Sequence, residues 1–459
     1  MKKLFTLLAF LGICSATFAQ WMPQASGFAT GSRGIQYVHA VNANTVWASG
    51  YDGSGGGLTI NEFTKTVDGG NLWVPGEILG GNTYGIGNIC GIDGTTAWAA
   101  VYSGLASGVQ DDNCGVYKTT DGGTTWVHQT GALQGAASFA DNVYFWDANI
   151  GMCHGDVKDG YFECYTTTNG GTTWTRSPQT NFTGAAVASG EGGWTGVIEV
   201  TGTSTVMFGT NKGKLYKSED HGVTWVASQT GAPASGTLAG VNEISFKDSN
   251  HGIVGHLNAA FELDLFETSN GGTTWAPITA NGICYGGSLA YVPGTANTYV
   301  STGANTNLAG CSYSYDGGHT WTDFDATSGV QFLATAWVDN ATGWAGAFND
   351  ATTPSTVGGM YKFGGILTDI LNINPAKGGF SIYPNPSNGQ FKLAVVGCEN
   401  QNVKVNVYNS IGSIVYSSNE SSNLISYNMN LDLTQLAKGV YVAEILSGKT
   451  TKQQKIVIE

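Results

Sequence analysis

An eight-residue pattern, Ser/Thr-x-Asp/Asn-x-Gly-x-x-Trp, occurs six times in this chain, at 66–73, 119–126, 167–174, 218–225, 268–275 and 314–321. Its tryptophans are Trp73, Trp126, Trp174, Trp225, Trp275 and Trp321, so successive gaps are 53, 48, 51, 50 and 46 residues. A period of that length marks propeller blades, each about one four-stranded sheet. The chain therefore reads as an all-β repeat protein.

The residue types explain what the repeat does. A hydroxyl residue followed by Asp68, Asp121, Asp220 or Asp316 can bond backbone N–H groups just downstream, as Asx and Ser/Thr turns do. Asn169 and Asn270 stand where the other repeats have Asp, and Asn makes the same turn without a charge. That exchange favours a turn role over a catalytic or metal role. Glycines such as Gly122 and Gly123 supply the positive φ of a tight strand-to-strand turn, and the tryptophan is large enough to fill a gap between sheets.

These residues resemble the Asp-box (bacterial neuraminidase) repeat of sialidases, family 74 xyloglucanases, sortilin-type receptors and photosystem assembly factors. The resemblance implies that each box joins the third and fourth strands of a blade. It also implies that the boxes lie on the face opposite the active or binding face, so they do not identify a function.

A second element, a turn followed by a strand of small residues, counts the blades independently. It occurs at 42–48, 93–99, 147–152, 203–209, 248–255, 296–303 and 340–346, seven times against six boxes. After the seventh, Met360-Tyr361-Lys362-Phe363 matches a strand that elsewhere leads into a box, but no box follows. Trp21-Met22-Pro23-Gln24-Ala25 resembles the segment after each box, so the N-terminal strand is expected to complete the last blade beside Tyr361. Closing the ring with strands from both ends removes unpaired edges. The expectation is one seven-bladed β-propeller over residues 20–366, followed by a small β-sandwich.

Residues 1–19 read as a secretory signal peptide, with Lys2-Lys3, an apolar run from Leu4 to Ile13 and a small-residue site ending at Ala19. Ile13 before Cys14 argues against a lipid anchor, and no later stretch approaches the ~18 apolar residues of a membrane span. After cleavage 17 basic residues face 33 acidic ones, a sign of charge that repels nucleic acid. An exported chain permits disulfides, and Cys90–Cys114, Cys153–Cys164 and Cys284–Cys311 each fall within one repeat, with Cys398 left over. These three bridges are expected to brace loops on the box-free face.

Residues 367–379 read as a linker containing Pro375 and Gly378-Gly379, and 380–459 change character, with no box and no tryptophan. Val403, Val405 and Val407 alternate as one strand face, and Val440, Val442 and Ile445 suggest another. This tail resembles the type A sorting domain of type IX secretion. The matching residues include Tyr383-Pro384-Asn385-Pro386, Gly389 and Phe391, then Gly412, and finally Gly439 and Tyr441. The resemblance implies recognition by the type IX secretion machinery and delivery through the periplasm to the outer-membrane surface or the medium.

Chemistry is harder to find. The chain has only two arginines, Arg33 and Arg176, and so lacks the arginine triad with which sialidases hold a carboxylate. A glycosidase of another type needs two facing carboxylates. The candidates are Asp111 and Asp112, Asp156 and Asp159, and Glu262 and Asp264, all placed in or near second-to-third-strand hairpins. His154, close to Asp156 and Glu163, reads as a solvated loop histidine, and no metal or cofactor site is assigned. Trp146, Trp194 and Tyr285 are candidate sugar-stacking platforms on the box-free face. The favoured function is a non-enzymatic module that binds an extracellular glycan or protein; the alternative is a polysaccharide hydrolase using paired loop acids.

Overall fold

The computed structural model describes residues 21–81, 83–105, 109–236, 238–325, 329–349, 358–365, 367, 379–383, 387–396, 401–409, 411–422, 426–447 and 450–458. The signal peptide, most of the linker, Cys398 and Pro384-Asn385-Pro386 lie outside the described residues. The chain forms two compact units, Met1–Leu367 and Thr368–Glu459.

In the first unit the described strands make seven sheets, six of four strands and one of five. Their inner strands are Arg33–Ala40, Tyr84–Gly91, Ala140–Phe145, Gly193–Thr201, Glu243–Phe246, Ser288–Tyr291 and Phe332–Asp339, which define blades 1 to 7. Each inner strand touches the next, and that of blade 7 returns to that of blade 1, so the ring is closed. The second strands, such as Ala97–Ser103, are buried on both faces between neighbouring blades. That burial explains their continuous runs of small and aromatic residues.

The ring closes with strands from both ends of the unit. Trp21–Ala25 pairs antiparallel with Gly359–Phe363 as the outer strand of blade 7, placing Pro23 opposite Tyr361. Blade 4 carries an extra strand, Phe182–Gly184, which runs parallel to the outer strand Trp225–Gln229 and covers its edge.

Every box has the same hydrogen bonding. In the first, Thr66 Oγ1 donates to Asp68 Oδ1 at 2.8 Å and accepts from Gly70 N at 2.9 Å, while Leu72 N donates to Asp68 Oδ1 at 3.0 Å. The box turns dock on the first-to-second-strand turns of their own blades, as Gly122 N does on Thr95 O at 2.8 Å. Lysines preceding four boxes or their equivalent reach the turn of the next blade: Lys65 to Gly94 O, Lys118 to Gly170 O, Lys217 to Ser249 O and Lys362 to Gly69 O, at 2.6–3.1 Å. Each box tryptophan fills the gap toward the preceding blade. Trp126 of blade 2, for example, packs with Trp47 and Phe63 of blade 1.

The three expected disulfides do not form; all six cysteines are buried free thiols. Cys153 is paired across the ladder with Tyr165 and Cys164 with His154, so the two sulfurs leave opposite faces of the sheet. Cys153 packs between blades 2 and 3, Cys164 between blades 3 and 4. Cys284 and Cys311 are divided in the same way between the two sides of blade 6. Cys90 lies on the inner strand beside Trp98, whereas Cys114 precedes the third strand at the far end of its pairing.

The second unit consists of a three-stranded and a four-stranded antiparallel sheet. Their core includes Phe391, Leu393, Val403, Val405, Val407 and Ile458. In strand Gly439–Ser447 the buried face is Tyr441, Ala443 and Ile445, while Val440 is half exposed. The expected grouping of Val440 and Val442 with Ile445 was off by the strand's period of two. Gly389 and Gly412 both have positive φ, and the Tyr441 hydroxyl donates to Ala437 O at 2.7 Å.

Candidate functional site

The six loop acids are placed in the second-to-third-strand hairpins of blades 2, 3 and 5. Asp111 accepts the Tyr84 hydroxyl at 2.7 Å and the Asn113 amide at 2.9 Å, and its neighbour Asp112 is exposed. Asp156 accepts Gly193 N of blade 4 at 2.9 Å; burial raises its pKa against that bond. Asp159 occupies a turn position at φ 59° and pairs with Arg176 at 3.0 Å. Asp264 accepts from Asn258 Nδ2 at 3.0 Å, and Glu262 makes a β-bridge with Tyr285. The acids stand on three separate hairpins, and four of the six are tied to neighbours in their own blade or the next.

Both arginines are likewise structural. Arg33 is buried and bonds Asp52 at 2.7 Å and Glu62 at 2.9 Å. Arg176 lies over the Tyr161 ring at 4.1 Å. His154 is on a strand rather than a loop, fully buried, with its ring stacked on Phe208 at 4.2 Å. Its Nε2 lies 2.9 Å from Asn142 Nδ2 and so accepts, and burial drives its pKa down to about 3. Among the described residues no group of three His, Cys, Asp or Glu is arranged to hold a metal ion.

Two of the three expected aromatic platforms are not platforms. Trp146 lies at the box end, next to the Ile150 turn, and packs edge-on against His221. Tyr285 is buried, with its hydroxyl bonded to Asp323. Trp194 alone reaches an open space, the central channel.

That channel follows from the propeller plan. Each inner strand bonds its own blade on one edge and leaves backbone groups unpaired on the other, where they need partners. Side chains of the preceding blade supply them. Asn88 bonds Val143 N and O at 2.8 and 2.9 Å, and Asn142 bonds Gly196 N and Trp194 O at 2.9 and 3.0 Å. Glu199 stands where the Phe246 amide of blade 5 lowers its pKa. Glu243 accepts from Leu289 N at 3.1 Å, Ser245 from Tyr291 N at 2.6 Å and Ser288 from Thr335 N at 3.3 Å.

The channel is asymmetric. The pairing of blade 4's inner strand is irregular between Gly193 and Ile198, and Gly196 within it has φ 76°. A Cβ on Gly196 would lie 3.4 Å from the Tyr37 ring of blade 1 and 3.6 Å from Gly87 O of blade 2. This bulge fills the side of blades 2 and 3. A cavity of about 630 Å³ remains along blades 1, 4, 5, 6 and 7, lined in part by Tyr37, Trp194, Glu199, Glu243, Tyr291 and Trp337. Burial pushes the Glu199 and Glu243 carboxyls up to about 8, against the lowering effect of the Phe246 and Leu289 amides. Neither is among the candidates read from sequence, because none of the repeated elements marks the inner strands that hold them. The only available signal was an acid in an inner strand whose neighbours are Val, Ile and Phe.

Residues 381–459 match the family described as secretion system C-terminal sorting domain. The C-terminal domain belongs to that family, and the protein is an Asp-box-type propeller carried by a type IX sorting domain. It is secreted or attached to the cell surface. Among the described residues no helix is long and apolar enough to cross a membrane. No curated protein matches the chain. Among solved structures, YCF48 from Cyanidioschyzon merolae is 15% identical with a TM-score of 0.49, covering 75% of this chain and 98% of its own. A YCF48 structure with a bound peptide is 14% identical with a TM-score of 0.47, covering 75% and 97%. The GH74 xyloglucanase from Xanthomonas campestris is 12% identical with a TM-score of 0.32, covering 81% and 68%. These likenesses add nothing on function to what the strand topology establishes.

Proposed function

We propose that the propeller is a non-catalytic binding or scaffold module, exported by its sorting domain to present the box-free face and channel mouth to an extracellular glycan or protein. The observation that carries this reading is the dispersal of the loop acids over three hairpins, most of them committed to local bonds. A glycosidase needs one carboxyl ionised and one protonated across a shared cleft. Glu199 and Glu243 share a cavity, but burial shifts both in the same direction, whereas that chemistry needs the two pKa values set apart.

A glycan array probed with the mature protein, followed by a reducing-sugar assay on every hit, tests the reading. Binding without cleavage is expected. Turnover that disappears in Glu199→Gln or in Asp156→Asn would replace it with the hydrolase alternative.

A further inference from the structure

The residues lining the channel cavity include two acids, Glu199 and Glu243, and one base, Lys247. Lys247 is not their counter-ion, since its Nζ donates to Asn297 Oδ1 of blade 6 at 2.9 Å. Among the described residues no Lys, Arg or His nitrogen lies within ion-pair distance of either carboxyl. The Glu243 carboxyl accepts Leu289 N of the next blade's inner strand at 3.1 Å, and the Phe246 amide of the next blade acts on Glu199 by lowering its pKa against burial. Both remain partly accessible and line the cavity, which is therefore their route to solvent.

A buried carboxyl without a cation either takes up a proton or waits for a positive ligand. The rest of the lining suits such a ligand. Tyr37, Trp194 and Tyr291 are partly exposed rings along the lining and can take a cation, and the partly exposed Val197 and Ile198 give apolar wall to an aliphatic stem. A volume of about 630 Å³ is within the range of small-ligand pockets. We propose that the central channel binds an organic cation, a primary ammonium on a slender aliphatic stem, between Glu199 and Glu243. The site lies inside the channel whose mouth belongs to the surface proposed above, and it stands whether or not that surface binds a glycan. The same chemistry is carried by a free linear diamine and by the lysine side chain of a protein.

Binding must ionise the carboxyls and so release protons. The other titratable groups that sense them are the Tyr37, Tyr144 and Tyr299 phenols around Glu199 and the Cys284 thiol beside Glu243. Burial raises all four, so below pH 9 they stay neutral and the two carboxyls alone change charge.

The test is calorimetric titration of the full mature chain with 1,4-diaminobutane and, separately, with the peptide Gly-Lys-Gly, at pH 6 in phosphate, at pH 9 in Tris, and at pH 7 in both buffers. An amine of pKa about 10 stays cationic throughout. At least one probe is expected to bind more than about tenfold tighter at pH 9 than at pH 6. At pH 7 its binding heat should differ between the buffers by the ionisation of one to two released protons. Binding of the diamine alone assigns a free amine, and binding of the peptide alone assigns a protein side chain. Glu199→Gln combined with Glu243→Gln keeps an oxygen for each backbone amide and should abolish binding. No binding by either probe, or binding without proton release, overturns the proposal even if the double variant fails to fold.

Discussion

Trp21 lies directly opposite Phe363 on antiparallel strands, their rings 5.5 Å apart. This pair does for blade 7 what a box does elsewhere. The other six blades each send a box tryptophan toward the preceding blade, and blade 7 has no box. Trp21 takes that place, packing with Phe332 and Trp337 in the core between blades 6 and 7. Trp21→Ala should therefore destabilise the propeller by ~3–5 kcal/mol, as loss of a buried tryptophan does. Urea unfolding checks it, and a cost no larger than that of Met22→Ala, whose side chain is exposed, would contradict the closure role.

The boxes should tolerate loss of charge but not loss of the hydroxyl. Asp121 Oδ2 accepts from Thr125 Oγ1 at 2.6 Å, whereas Asn169 Nδ2 donates to Thr173 Oγ1 at 2.8 Å, so the rotating hydroxyl serves either partner. Asp121→Asn should leave the melting temperature unchanged within error. Thr119→Val removes the acceptor of Gly123 N in a buried turn and should cost about 1–2 kcal/mol. Thermal melts of the two variants separate these outcomes.

How far this architecture could be read from sequence depends on whether a residue acts within its own blade. The box tryptophans and the small-residue second strands repeat because every blade needs them, and they make legible the seven blades and the closing of the last one by the N-terminal strand beside that of Tyr361. Cys153 and Cys164 look bridgeable because they flank one hairpin. The alternation of side chains across the ladder sends them to different cores, and that is a matter of register, not spacing. Glu199 and Glu243 were invisible for another reason. Each meets its partner across a blade boundary, and inner strands of different blades share no repeated motif from which that contact can be read.

The channel carboxyls give stability an unusual pH dependence. Burial raises both from the usual 4.5 to about 8, so between those values the folded protein holds protons the unfolded chain has released. Stability must then fall as pH rises from about 5 to about 8. Melting temperature should decline over that window in the wild type, and the decline should flatten in the variant carrying Glu199→Gln and Glu243→Gln. The box carboxylates act in the other direction. Hydrogen bonds from Thr125 hold Asp121 at about 2, below the ordinary 3.8, but solvent screens this exposed group, so acid should change stability little through it, as Asp121→Asn should.

Free thiols should be recovered from all six propeller cysteines. Alkylation of unfolded, unreduced protein, followed by peptide mass mapping, is expected to label Cys90, Cys114, Cys153, Cys164, Cys284 and Cys311. In the folded state the same reagent should label them slowly. All six are buried, and burial raises the Cys90 thiol to about 12, far from the reactive thiolate. A linked Cys153–Cys164 peptide would require the ladder register of blade 3 to be different.

Delivery and binding should be separable by truncation. Among the described residues the core of the C-terminal unit is drawn from Ile382 to Ile458, and the closing strand of the propeller, Trp21–Ala25, comes from the opposite end of the chain. Removing residues 380–459 therefore takes away no strand from any blade. Export of the truncated chain should stop in the periplasm, because the segment that matches the sorting family is gone. Purified from there, it should melt as the propeller does in the full chain and retain whatever ligand the glycan array assigns. Fractionation of cells expressing either form, in strains with and without type IX secretion, makes the comparison. Surface delivery of the truncated form in the competent strain would mean that the propeller carries its own export signal.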